Sequence, residues 1–185
     1  MKFKEIKRNG VFCWCPTRQQ RSVAIGTTSQ QFDTNFSNDS KLEIFDLNAE
    51  ECSEEPRLKS SKVVTNTFNC LQWHPYALIG GTQLKTLQFF DVTADEIELK
   101  YETEAQTSSV TCIALNPKEE HSVATGCDDG SVGVWDIDSG GKAERSLNLS
   151  VSGTNDSVNV VQWNRTVGSI VATASNTNVH VWDTR

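Results

Sequence analysis

The sequence predicts an all-β fold built from one repeated unit, on three observations. The pairs Phe45-Asp46, Phe90-Asp91, Trp135-Asp136 and Trp182-Asp183 recur at intervals of 45, 45 and 47 residues, close to the ~40 to 45 residues of a WD-type propeller blade. Two other motifs precede each pair in a fixed order. The 185 residues then hold roughly three and a half to four units, where closed propellers take about four to eight blades. The fold class is therefore an incomplete WD-repeat β-propeller occupying residues 1–185 as one domain.

Each unit opens on a strand: Phe12-Cys13-Trp14-Cys15-Pro16, Leu71-Gln72-Trp73-His74-Pro75, Ile113-Ala114-Leu115-Asn116-Pro117 and Val161-Gln162-Trp163-Asn164-Arg165. Three of the four end in proline, which stops a strand because it has no N–H to donate. An inner strand follows, ending in small residues that suit the tapering space near a propeller axis: Val23 to Thr27, Leu78 to Thr82, Val123 to Cys127 and Val171 to Ser175,. The third strand carries the aromatic-Asp pair. Its second position, Glu43, Gln88, Gly133 or His180, is variable and is expected to face outward,. Polar outer strands are expected over Arg57 to Val64, Glu96 to Glu104 and Lys142 to Val151.

In the third unit, Asp129 lies in the turn Asp128-Asp129-Gly130-Ser131, where a short acidic side chain hydrogen-bonds local backbone,. Thr125 holds the usual hydroxyl position of a WD repeat, but Gln106-Thr107-Ser108-Ser109 stands where a histidine usually precedes the first strand. The first unit differs in length. From Gly26 to Phe45 takes 19 residues against nine from Gly81 to Phe90, so an insertion lies within 27–40. It is expected to form an exposed loop, with Gln30, Gln31, Phe32 and Asp33 the candidate interaction residues, since recognition residues concentrate on loops held by rigid scaffolds,. Phe3 and Ile6 give the segment Met1 to Lys7 strand character, suited to the outer strand of a last blade, but it is expected to have no partner here, and Val179 to Trp182 is expected at an open edge,.

Composition narrows the function. With 37% hydrophobic and 22% charged residues the chain can build a core,. Its net charge of -7 argues against broad binding to nucleic acid phosphates or an anionic membrane surface,. No apolar run approaches the roughly 20 residues of a membrane span, and Met1 to Gly10 holds no signal-peptide core, which points to a cytosolic or nuclear chain. Cys13-x-Cys15 lacks a second ligand pair at metal-site spacing, so core cysteines are expected and no metal. His74, His121 and His180 sit in separate units beside no nucleophile motif, and no phosphate-binding glycine loop occurs; no catalytic residue, cofactor or enzymatic activity is expected. Glu50, Glu51, Glu54 and Glu55 read as a solvated loop.

The opening Met1 to Ile6, the strand end Trp14-Cys15-Pro16, and above all Gly26-Thr27-Thr28-Ser29-Gln30-Gln31-Phe32-Asp33 followed by Asn38 to Asp46 resemble one family. It is the Sec31 family, the larger outer-layer subunit of the COPII vesicle coat. The resemblance is strongest over residues 1 to 46 and continues to residue 185 as a general WD pattern. It implies a non-enzymatic scaffold in vesicle budding from the endoplasmic reticulum toward the Golgi, with a seven-bladed propeller at the N-terminus. Implied partners are the smaller WD-repeat outer-coat subunit and the inner coat, whose main contact regions lie outside these residues. The implied location is cytoplasmic, peripheral at endoplasmic reticulum exit sites and on COPII vesicles. The alternative is a WD-repeat adaptor presenting a partner to an unrelated complex such as a ubiquitin ligase, because fold alone does not separate the two.

Overall fold

A computed structural model describes residues 4–16, 21–28, 39–47, 55–93, 96–103, 106–138, 143–150 and 156–185. Its strands form four antiparallel sheets, each following chain order. Blade 1 contains β1 (Val11–Trp14), β2 (Ser22–Gly26), β3 (Ser40–Asp46) and β4 (Arg57–Val64). Blade 2 contains β5 (Phe68–His74), β6 (Ala77–Thr82), β7 (Leu87–Val92) and β8 (Ile97–Glu102). Blade 3 contains β9 (Val110–Leu115), β10 (Ser122–Cys127), β11 (Val132–Ile137) and β12 (Ala143–Leu149). Blade 4 has three strands among the described residues, β13 (Val160–Trp163), β14 (Ile170–Ala174) and β15 (Val179–Asp183). The four sheets do not close into a ring, which makes this an incomplete propeller.

The first strands β1, β5, β9 and β13 touch in succession, so they lie nearest the axis. The small-residue strands, expected as inner strands, are second from the axis. Their small residues answer to the next blade: a Cβ on Gly26 would meet Phe68, on Gly81 Val110, and on Gly126 Val158, all at 2.5 to 2.7 Å. Such separations are too short for any side chain but glycine. At the rim, β8 and β12 show mostly exposed or alternating positions, as half-solvated outer strands do,. One irregularity repeats in the three four-stranded blades. The register between third and fourth strands shifts at Ile44/Phe45, Phe89/Phe90 and Val134/Trp135, immediately before each aromatic-Asp pair,.

The core lies between blades, not at one centre. Cys13, Ala24, Leu42 and Ile44 of blade 1 pack with Phe68, Leu71, Leu78 and Phe90 of blade 2. Ile79, Leu87 and Phe89 of blade 2 pack with Val110, Val123, Trp135 and Ile137 of blade 3. Ala124 and Val134 of blade 3 pack with Val161, Trp163 and Val171 of blade 4. These three seams hold the large apolar side chains, and burial at ~25 cal/mol per Å² of apolar surface makes them the main favourable term.

Two expectations need correction. The second position of the third strand is buried in blades 1 to 3, at Glu43, Gln88 and Gly133, because both faces of an interior strand are covered by neighbouring blades,. His180 does not face outward: it is half-buried, on the side toward Gly130, Val158 and Trp182, while Val179 and Val181 are the exposed pair. Residues 4–9 form no strand. Arg8 instead reaches β3, where its Nε donates to Glu43 Oε2 at 2.7 Å and its guanidinium lies 5.9 Å from the Phe45 ring centre.

Candidate functional site: the seams between blades and two open faces

The polar groups of the seams repeat as regularly as the apolar ones. In blade 3 the Trp135 indole N–H donates to Thr125 Oγ1 at 2.9 Å, and in blade 4 the Trp182 indole donates to Thr173 Oγ1 at 3.0 Å. Phe45 and Phe90 replace the tryptophan in blades 1 and 2, and there Ile25 and Gly80 replace the threonine. A phenyl ring has no N–H to satisfy, so no hydroxyl is needed. At Gly80 the vacated volume is taken by Phe68, whose ring would stand 2.4 Å from an added Cβ and which meets Phe90 edge-on at 6.0 Å between centres.

A second polar link ties adjacent blades. His74, at the end of β5, donates from Nε2 to the Glu120 carbonyl of blade 3 at 2.5 Å, while its Nδ1 accepts the Tyr76 N–H at 3.2 Å. Asn116 holds the same repeat position in blade 3, and its Nδ2 donates to the Gly168 carbonyl of blade 4 at 2.8 Å. Burial holds the His74 imidazole below its ordinary basicity, outweighing the pull of the Glu120 carbonyl, so it stays neutral with the proton on Nε2,. Tyr76 stacks on His121 at 5.8 Å between ring centres. Two histidines from separate repeats thus meet at one seam. The sequence held the signal, in the shared motif position of His74 and Asn116, but only the pairing of blades gives it meaning.

The turns follow the same economy. Asp129 Oδ1 accepts the Ser131 N–H at 3.0 Å and the Ser131 hydroxyl at 2.6 Å, and Thr107 stands 3.3 Å from that hydroxyl. Partial burial would raise the Asp129 carboxyl, but the bonds from Ser131 and Thr107 outweigh it and the group lies below its ordinary value. Gln106, in the usual histidine place, is buried and accepts from the Cys127 thiol at 3.4 Å. In blade 4, where Arg165 replaces the strand-ending proline, Asn164 Oδ1 caps the turn by accepting from Thr166 and Val167 N–H at 2.8 and 2.9 Å,. Asp91 lies 3.7 Å from Lys100, Asp136 is exposed, and Asp183 is bound by Arg185, which holds its carboxyl down to about 2. Asp46 pairs with Arg57 in the β3–β4 ladder. Cys13 lies in the first seam, where burial and then the neighbouring Cys15 push its thiol up to about 12.

Two faces of the molecule lack such a partner among the described residues. Phe12 and Trp14 on β1 are 63% and 58% exposed, whereas their repeat equivalents Val161 and Trp163 are 6% and 4% exposed. Val179 and Val181 on β15 are 71% and 69% exposed, whereas Val132 and Val134 are buried. The candidate loop residues Gln30, Gln31, Phe32 and Asp33 lie outside the described residues, as does the acidic run except for exposed Glu55. The base of that insertion is closed: Thr27 N–H donates to the Lys41 carbonyl and Lys41 N–H to Thr27 Oγ1, both at 3.0 Å.

Fold, repeat and seam chemistry together define a WD-repeat propeller segment. The WD domain, G-beta repeat family matches residues 97–136, which join the outer strand of blade 2 to three strands of blade 3. Over its whole length the chain is similar to the Sec31 protein transport proteins. It is 27% identical to Sec31B of Mus musculus and 28% identical to SEC31 of Phaeosphaeria nodorum, with 100% of this chain covered in each case. It spans 17% and 16% of their lengths, about one sixth. Among solved structures, one described as COPII on membranes, outer coat vertex, aligns with a TM-score of 0.81 at 25% identity, covering 95% of this chain and 47% of that one. A ribosomal-protein-bound Sqt1 from Chaetomium thermophilum shares the fold, with a TM-score of 0.69 at 17% identity. No helix of the described residues is long and apolar enough to cross a membrane.

Proposed function

We propose that the chain acts as a non-enzymatic scaffold segment of a COPII-type outer coat, in vesicle budding from the endoplasmic reticulum toward the Golgi. The observation that carries this reading is the similarity to Sec31 proteins along all 185 residues, joined to a TM-score of 0.81 with a chain of the outer coat vertex. Its partners in this reading are proteins: the smaller WD-repeat outer-coat subunit and the inner coat. The chain is then cytoplasmic and peripheral, reaching the membrane through those partners. The described polar clusters suit this role, since each one satisfies backbone or closes a seam, and rigid seams are what a load-sharing scaffold needs.

The insertion within 27–40 is the recognition element of the reading, with Gln30, Gln31, Phe32 and Asp33 as its candidate interaction residues. Its base is pinned at Thr27 and Lys41, so its length can vary without disturbing β2 or β3,. Copurification from cells tests the function. Enrichment of the smaller WD-repeat coat subunit is expected, and recovery of a ubiquitin ligase scaffold without coat proteins would move the chain to the adaptor class. Deleting residues 30–38 is expected to leave thermal stability nearly unchanged while reducing that enrichment.

A further inference from the structure

The strands nearest the axis enclose a cavity of about 310 Å³ among blades 2, 3 and 4. Its buried wall is apolar, formed by Val161 and Trp163 on β13, with half-buried Leu115 of β9 beside them. The Trp163 indole is held by its bond to the Ala114 carbonyl at 3.1 Å, so this wall is preformed. The polar side chains of the lining are Gln72, Gln162 and Arg165, and among the described residues none of the three makes a hydrogen bond or an ion pair through its side chain. Two departures within the repeat shape the site. Gln72, Ala114 and Gln162 share one motif position, and in the middle blade the small Ala114 fills less space than either glutamine. Arg165 stands where the other three units carry proline, on a turn fixed by Asn164 Oδ1. We propose that this cavity binds the C-terminal end of a protein chain whose last side chain is apolar.

A chain end of this kind gives every lining group a partner. Arg165 matches the terminal carboxylate, since a guanidinium meets two carboxylate oxygens with two parallel N–H groups. Gln72 and Gln162 each offer donors and an acceptor, the pair of functions that a peptide group carries. The apolar wall takes the last side chain. The volume lies near the lower end of the ~300 to 1,000 Å³ of ligand pockets, a size suited to one or two residues. Charge selects the carboxyl end over the amino end: Arg165 is the one ionisable side chain in the lining, so an ammonium group would meet a like charge,. No residue of β1 or β15 lines the cavity, and the inference goes beyond the coat reading without resting on it.

A peptide array tests the proposal. The full chain is applied to short peptides that vary in their last two residues, each synthesised once with a free C-terminal carboxylate and once as the amide. The expected result is retention on free-acid peptides that end in leucine, isoleucine, valine or phenylalanine, with binding to the matching amides weaker by about tenfold, the share of a charge-assisted bond. Arg165→Gln, at an exposed position, is expected to erase the preference for the free acid and keep the preference for an apolar last residue. Gln162→Ala is expected to weaken acid and amide alike, and Arg185→Gln, a cation outside the cavity, to change neither. Circular dichroism checks that the variants remain folded. Equal retention of acid and amide, a carboxylate preference that survives Arg165→Gln, selection of internal acidic residues in place of the chain end, or no retention on any peptide would each overturn the proposal.

Discussion

Blades 3 and 4 carry almost the same strand, yet their valines live in different solvents. Val132 and Val134 are both buried, Val134 packing with the tryptophan of the next blade, while Val179 and Val181 stand in water. The two tryptophans that open blades 1 and 4 differ in the same way, Trp163 donating its indole N–H to the Ala114 carbonyl at 3.1 Å and Trp14 exposed. In a propeller the motif specifies half a joint, and burial belongs to the joint. A residue's contribution therefore depends on which blade stands beside it, and the comparison can be broken or sharpened position by position.

The largest effect is expected where the joint is made. Trp163→Ala should cost about 3 to 5 kcal/mol, the usual range for deleting a large buried aromatic side chain. Trp14→Ala, at the same motif position, should change the stability of the monomer by less than about 0.5 kcal/mol, as surface changes do. Urea unfolding of both variants reads the difference directly. Equal losses would mean that Trp14 is packed.

Next comes the Trp–Thr link. Trp135→Phe leaves the buried Thr125 hydroxyl without the indole partner and should cost about 1 to 2 kcal/mol,. Adding Thr125→Val should recover part of that loss, because the phenylalanine blades show that ring and hydroxyl come or go together. A double-mutant cycle with no coupling would separate them.

The seam between blades 2 and 3 should weaken in acid. His74 is held below its ordinary value of 6.5 in the folded chain, so the unfolded chain binds the extra proton first. Its contribution is then complete above pH 6.5 and is lost as the pH falls through that value toward the lower folded one,. The proton would enter Nδ1, which already accepts the Tyr76 N–H. Thermal melts from pH 7.5 to 5 should fall more steeply for the parent than for His74→Gln, which keeps a donor for Glu120 and does not titrate. Parallel slopes would remove His74 from the account.

The smallest effect expected is a gain. Lys85 has a backbone φ of 69° at the turn position where blade 3 uses Gly130, with φ 83°. Lys85→Gly relieves about 1 kcal/mol of left-handed strain and loses about half of that to a freer unfolded chain. A net stabilisation of about 0.5 kcal/mol is expected in the same unfolding assay.

Much of this architecture was legible in the sequence because the repeat is spoken by large residues at fixed spacing. The expected outer strand Arg57 to Val64 coincides with β4, and the small-residue motifs fall on β2, β6, β10 and β14. The sense of each side chain was not legible. Alternation gives two faces but not which blade lies on either one, so His180 was placed outside although it is half-buried. The link from His74 to Glu120 needed two blades in register before a histidine and a distant carbonyl could meet.

Hydrogen exchange on β11 and β15 tests the central claim most directly. These strands share a motif and differ in neighbours. The amides of β11, between β10 and β12 and beneath blade 4, should exchange only with global unfolding,. Those of β15, an edge strand with Val179 and Val181 in water, should exchange through local opening at least tenfold faster,. Equal protection of the two strands would contradict the account, because it would show that the motif alone, without the next blade, secures the strand.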